Sequence, residues 1–180
     1  VMVRPSFVLG GRGKRVVHGD DELREYVEQA TEISPAHPIL VDQFLSDAIE
    51  VDIDLLCDRA GDVAIGGILE HIEEAGVHSG DASCILPPYT LPQLLLDRMR
   101  SAARALAREL GVVGLMNVQF AGKEDSVYVL EANPRASRTV PFVAKATGRP
   151  LARLATKLMA GHTLQELGIQ HEVACPRVAV

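Results

Sequence analysis

Apolar and polar positions along the chain fall into runs that predict its elements one after another. In "IEVDIDLLCD", Val51, Ile53 and Leu55 alternate with Glu50, Asp52 and Asp54, the two-residue period of a strand in a sheet with one wet face. "PILVDQFL" and "DVAIGGILEHI" flank it as further strands. Residues 90–110 carry the strongest helical period: Leu91, Leu95, Met99, Ala102, Leu106 and Leu110 make one stripe. Thr90 and Gln93 suit a capping box there, and Gly111 can close the C-terminus. A second amphipathic helix over 20–32 places Leu23, Tyr26, Val27 and Ala30 on one face, with Asp20 or Asp21 as N-cap.

"VVGLMNVQFAGKEDSVYVLEANP" reads as two strands about the turn-rich "GKEDS". A hairpin centred on that turn sets Gln119 and Glu131 on neighbouring strands with Asn117 beside them. These polar residues share one face, and Met116, Val118, Phe120, Tyr128 and Leu130 take the other. A one-residue change in the turn would slip that register. Beyond Pro134 the chain returns to helix over 141–147 and 150–161. The opening "VMVRPSFVLGGRGKRVV" predicts a hairpin whose connection contains Gly10, Gly11 and Gly13.

These elements define an α+β fold, an antiparallel sheet with helices gathered on one side. Pro35 and Pro38 suggest a boundary between a small lid subdomain, 1–35, and a main subdomain, 36–168. Residues 169–180 then read as the start of a following linker or strand. Val1 is no initiator Met and "VMVRPSF" looks like a strand already under way, so the chain is expected to be a piece of something longer.

Composition narrows the functional classes. Hydrophobic residues are 47% of 180 and aromatics only 4% with no Trp, so the core must be Leu, Val, Ile and Ala. A net charge of −6 argues against a nucleic-acid platform, while leaving room for one anion held by a local cluster of cations. Cys57, Cys84 and Cys175 form no CxxC pair, which points to free thiols in a reducing compartment. No apolar run reaches membrane-spanning length and no signal peptide opens the chain, so the expected location is the cytoplasm.

"VLEANPRASR" supplies the chemistry. Asn133 continues the polar face of Gln119 and Glu131, and Pro134 stops the ladder just where Arg135 and Arg138 begin. Magnesium takes hard oxygen donors and usually completes its shell with phosphate and water, so Gln119, Glu131 and Asn133 form a candidate metal set. Guanidinium forks beside it suit a phosphoryl group or a small carboxylate. In "GGRGK" the glycines could bring backbone N–H groups to phosphate oxygens, and Arg4, Arg12, Lys14 and Arg15 all precede the first acid, Asp20. It is not a Walker A sequence. Glu50, near Gln43 and Leu45, could accept ribose hydroxyls, although spacing alone favours solvated acids on an exposed face. Gly76, Val77, His78 and Ser79 read as a tight loop near a ligand. No Ser-His-Asp or Cys-His nucleophile stands out.

"VRPSFVLGGRG", "EHIEEAGVHSGDAS", "GLMNVQFA" and "LEANPRASRTVPFVAKATG" closely resemble the large subunits of carbamoyl-phosphate synthetases, a family of ATP-grasp ligases. The likeness runs over nearly the whole chain, and "RTVPFVAKATG" is similar to the second of the two ATP-grasp halves. That half phosphorylates carbamate to carbamoyl phosphate for arginine and pyrimidine biosynthesis. The resemblance implies that Arg4 and the glycines 10, 11 and 13 meet ATP phosphates. It also implies that Gln43, Leu45, Glu50 and the loop 76–79 surround the nucleoside. Gln119, Glu131 and Asn133 would bind Mg²⁺ or Mn²⁺, with Glu131 bridging two ions, and K⁺ is a further cation the resemblance allows. Arg135 and Arg138 match residues near the transferred group and carbamate, and a glutamine-hydrolysing small subunit is the implied partner. The isolated piece is expected to be inactive. A biotin-carboxylase-like ligase and a non-catalytic nucleotide sensor are the alternatives; "ASRTVPF" speaks against the first, and the intact metal and arginine set against the second.

Overall fold

The computed structural model describes residues 1–5, 13–33, 38–75, 82–169, 172, 175 and 177–180. It divides into two compact units, Val1–Ser46 and Asp47–Val180.

In the first unit, β1 (Met2–Pro5) lies between β2 (Arg15–Val16) and β3 (Ile39–Asp42), antiparallel to both. Helix α1 (Asp20–Ile33) buries Tyr26 and Ala30 against Val3 and Val17, with Leu23 packed alongside, which is the face its periodicity predicted. The Tyr26 hydroxyl donates to the Gly13 carbonyl. The boundary expected at the prolines falls later, after Ser46, because β3 hydrogen-bonds to β1 and draws residues 39–42 into this unit. Gly10 and Gly11 lie outside the described residues.

The second unit is built on a five-stranded antiparallel sheet ordered β6-β5-β4-β7-β8. Its strands are β4 (Ile49–Cys57), β5 (Val63–His71), β6 (Cys84–Ile85), β7 (Gly114–Lys123) and β8 (Ser126–Asn133), and its helices α2 (Gln93–Glu109), α3 (Val140–Thr147) and α4 (Leu151–Met159). One face packs Val51, Ile53 and Leu55 of β4 and Met116, Val118 and Phe120 of β7 against Leu95, Met99, Ala103 and Ala107 of α2. The other packs Leu56, Ala64 and Leu69 against Val143 of α3 and Leu151 and Leu158 of α4. The α+β class stands, but the helices cover both faces rather than one. Gly66 and Gly67 permit this second cover, since a Cβ on Gly67 would sit 2.6 Å from Val143 Cγ1 and one on Gly66 3.0 Å from Leu151 Cδ1.

A second correction follows on β4. Two of its three acids face no water: Asp52 is 2% exposed and Asp54 0%, while Glu50 is half-buried. The period-2 alternation is real, but both faces of the strand are buried.

Helix α2 begins after Pro92 with no side-chain cap, so the expected capping box is not formed. Thr90 is taken instead by Glu70 of β5, whose carboxylate accepts the Tyr89 N–H at 2.9 Å, the Thr90 N–H at 3.0 Å and the Thr90 hydroxyl. Leu110 falls outside the stripe because the helix stops at Glu109, and Gly111 turns the chain at φ 59°.

The β7–β8 hairpin closes on Glu124 and Asp125, with Glu124 at φ 52° as a two-residue connection requires. Counting back from Lys123 opposite Ser126 would put Leu130 opposite Gln119. A bulge between Gln119 and Phe120 restores the functional register, so Gln119 faces Glu131 and Asn117 faces Asn133. The same bulge corrects the apolar assignment: Tyr128 pairs with Ala121, and Leu130, at the bulge, is 48% exposed.

The tail folds back onto this unit. Ala179 bridges Leu86, and Glu172 receives Arg100 Nε at 2.5 Å and Nη2 at 2.8 Å. The three cysteines are free, and among the described residues no helix is long and apolar enough to cross a membrane.

Candidate functional site

Two rungs cross the three strands β4, β7 and β8. In one, Asp52, Gln119 and Glu131 stand opposite one another; in the other, Asp54, Asn117 and Asn133. Gln119 Nε2 donates to Asp52 Oδ1 at 3.2 Å, and Asn117 Nδ2 donates to Asp52 Oδ1 at 3.1 Å and Asp54 Oδ1 at 3.0 Å. An amide's N and O lie on opposite branches of one plane. Committing the nitrogen of Gln119 to β4 leaves its carbonyl oxygen as the branch that can serve a cation, with exposed Glu131 opposite on β8.

Asp52 is held from its other side by His71, whose Nε2 lies 2.7 Å from Asp52 Oδ2. His71 Nδ1 lies 3.5 Å from Glu50 Oε2. Burial alone would push the His71 pKa down, but the bond to Asp52, helped by Cys84, outweighs it and lifts the value to about 10. His71 is thus an imidazolium between two carboxylates, and Glu50, the expected ribose acceptor, is tied through it to the Gln119 rung. Breaking such a buried pair by removing one partner costs about 3–5 kcal/mol.

The arginine loop follows β8. Arg135 Nη2 donates to Asn133 Oδ1 at 3.1 Å and Nη1 to the Ala136 carbonyl at 3.0 Å. Asn133 therefore offers its oxygen partly to Arg135, and Gln119 and Glu131 are the stronger part of the expected cation set. Arg138 is exposed, while its neighbours Ser137 and Thr139 turn inward to Asp54. Burial pushes the Asp54 carboxyl above the usual range, and the donors Thr139, Ser137 and Asn117 pull it back.

Other expected positions belong to the first unit or lie outside the described residues. Arg4 pairs with Asp42 at 3.0 Å in the first unit, where Gly13, Gln43 and Leu45 also lie. Gly76, Val77, His78 and Ser79 lie outside the described residues. Sequence reasoning missed His71, Asp52, Asp54, Ser137 and Thr139 as parts of the site. Acids inserted at alternate positions of an otherwise apolar strand were the available signal.

Among the described residues no three His, Cys, Asp or Glu side chains converge as a metal cage. One carboxylate with amide oxygens is instead a donor set that fits Mg²⁺ or Mn²⁺ shared with phosphate oxygens. A cavity of about 180 Å³ at the far end of β4, beside Cys57, Asp58, Arg59 and Arg108, includes none of these residues.

The fold is shared with biotin carboxylases. It matches the biotin carboxylase domain of the Hydrogenobacter thermophilus 2-oxoglutarate carboxylase, solved with MgADP, ADP and bicarbonate. The TM-score is 0.69 at 21% identity, over 91% of this chain and 37% of that one. The Campylobacter jejuni biotin carboxylase in its β-γ-ATP complex matches with a TM-score of 0.69 at 17% identity, again over 91% and 37%. The fold is the ATP-grasp fold. The model of the carbamoyl-phosphate synthase L chain ATP-binding domain matches residues 1–167, and the chain belongs to that family. The carbamoyl phosphate synthase large chain of Methanothermobacter thermautotrophicus is 60% identical over 183 residues, and that of Myxococcus xanthus 58% over 180. The matches cover 100% of this chain but only 17% of those large chains.

Proposed function

We propose that this chain is the nucleotide- and cation-binding core of the carbamate-phosphorylating half of a carbamoyl phosphate synthase large chain. The observation that supports the reading is the Asp52–Gln119–Glu131 rung, in which an amide bonded to Asp52 through its nitrogen stands opposite a carboxylate on the adjacent strand. Gln119 and Glu131, with Asn133, would hold Mg²⁺ or Mn²⁺, in a pair of ions by the family's pattern, and the cation would neutralise phosphate oxygens.

Arg138 and Arg135 hold the acceptor and the transferred group. Glu50, fixed by His71, faces the ribose, and Arg4 with the glycine loop meets the phosphate tail. The carbamate oxygen attacks the γ-phosphorus in line as the bond to ADP breaks, giving carbamoyl phosphate and ADP. Positioning and charge neutralisation do the work, without a covalent enzyme intermediate. The full protein would draw its nitrogen from a glutamine-hydrolysing small subunit and act in the cytoplasm.

The test is ADP titration of the chain with and without Mg²⁺, alongside ADP release by the full-length large chain given carbamate or bicarbonate alone. Carbamate-dependent release and Mg²⁺-dependent binding are expected. Binding indifferent to Mg²⁺, or no release with carbamate, would overturn the reading.

A further inference from the structure

Asp54 lies in the middle of β4, fully buried between Ile53 and Leu55, and the cation and nucleotide roles above leave it without a task. Its oxygens are shared between two parts of the site. Oδ1 accepts Asn117 Nδ2 at 3.0 Å and Ser137 Oγ at 2.7 Å, and Oδ2 accepts Thr139 Oγ1 at 2.6 Å. Ser137 and Thr139 flank Arg138 and hydrogen-bond to each other at 2.7 Å. Asn117 stands opposite Asn133, whose amide oxygen receives Arg135.

Stability gives no reason for an acid here. A buried carboxylate is tolerated only when donors surround it, and an apolar residue of similar volume is often as good or better. Yet every donor that Asp54 gathers leads to the arginine loop or to the rung beside Gln119. Both hydroxyl residues that bracket an exposed arginine turn inward to the same carboxylate, and this pins the backbone of Arg138 on both sides.

We propose that Asp54 is a positioning residue that clamps the loop bearing Arg135 and Arg138 to the strand pair bearing Gln119 and Glu131. The inference rests on the phosphoryl-transfer reading above. The clamp sets where the guanidinium groups stand relative to the cation face, while its loop-side bonds, to Ser137 and Thr139, touch neither Gln119 nor Glu131. Losing it should slow transfer without weakening the nucleotide's hold, because a displacement of about 1 Å can cost on the order of 100-fold in rate.

The experiment uses the full-length large chain carrying this sequence and measures ATP formation from MgADP and carbamoyl phosphate, the reverse of the proposed step. Ser137→Ala combined with Thr139→Val cuts the clamp on the loop side and leaves the core carboxylate its Asn117 donor. We expect kcat to fall at least ~30-fold while the Kd for MgADP changes less than about twofold. Amide exchange over 135–139 should quicken in the variant while β4 and β7 stay protected. Asp54→Ala should give the same split. Asp54→Asn should stay within about threefold of the parent, since its oxygen still accepts and the Thr139 hydroxyl can rotate to accept from its nitrogen.

An unchanged kcat in the double variant would overturn the clamp, as would a loss shared equally by MgADP affinity, or an Asp54→Asn loss as large as that of alanine. If Asp54→Ala does not fold, the double variant and the exchange measurement decide. A parent protein that makes no ATP from these substrates overturns the phosphoryl-transfer reading and the clamp with it. A working parent with unaffected variants overturns the clamp alone.

Discussion

Asp52 and Gln119 stand opposite each other on β4 and β7, and the 3.2 Å bond from Gln119 Nε2 to Asp52 Oδ1 commits the nitrogen end of the amide to β4. The glutamine oxygen is left as the amide's acceptor, with Glu131 opposite on β8. A single carboxylate would hold a divalent cation weakly by itself; Glu131 with the Gln119 oxygen would offer two hard donors, and phosphate would supply more.

Replacing Glu131 by Gln should therefore reduce the Mg²⁺-dependent part of ADP affinity by at least ~10-fold, the range that even outer partners of a metal ligand command. Because Glu131 is exposed and the change is isosteric, stability should move by no more than ~0.5 kcal/mol. Calorimetric titration with and without Mg²⁺, beside a denaturant melt, separates the two. Undiminished Mg²⁺ dependence would remove Glu131 from the cation site.

The second-face helices rest on a glycine. A Cβ on Gly67 would lie 2.6 Å from Val143 Cγ1 and 3.5 Å from Leu86 Cδ1. Gly67→Ala should then cost ~1–3 kcal/mol by pushing α3 off the sheet, although the strand conformation itself accepts alanine. A shift in the urea midpoint with unchanged slope would be the signature. A neutral substitution would mean that α3 can move freely.

Much of this architecture can be read locally and some of it cannot. The α2 stripe and the β7–β8 hairpin rest on neighbours in sequence, so periodicity and turn composition find them. The burial of Asp54 depends on Ser137 and Thr139, 83 and 85 positions away, and on α3 and α4 covering a face that β4 alone makes look wet. The extent of the first unit depends on distant pairing in the same way, since β3, beyond both prolines, returns to β1. The bulge that seats Glu131 opposite Gln119 has no compositional mark: a hairpin centred on the turn puts the two on neighbouring strands, but the turn count alone does not pair them.

Cys57 should be chemically silent in the native protein. Burial and then the neighbouring Asp58 charge push its thiol up to about 12, against a weaker opposing pull from Arg108. Only the thiolate reacts at useful rates. Brief iodoacetamide treatment at neutral pH, read by peptide mass spectrometry, should leave Cys57 unmodified until denaturant is added. Labelling of Cys57 at the rate of the half-buried Cys84 would show that the β4 end opens readily.

The buried His71 pair predicts a pH dependence with a definite sign. His71 titrates near 6.5 when free and at about 10 when folded, held by Asp52 at 2.7 Å, with Cys84 and the Glu50 carboxylate also against the ring. A raised folded pKa means that the native state binds the proton more tightly than the unfolded chain. The stabilisation is fully present below pH 6.5, declines between 6.5 and 10, and is gone above 10. Within that window the slope can approach ~1.4 kcal/mol per pH unit for one proton. His71→Gln fills similar space without the charge, so the stability difference between parent and variant should be largest in mild acid and shrink steadily toward pH 10. Taking the difference removes the titrating groups that do not touch His71. A gap that stays constant, or widens as pH rises, would mean that His71 is neutral in the fold and that the Glu50–His71–Asp52 chain is held by something other than charge.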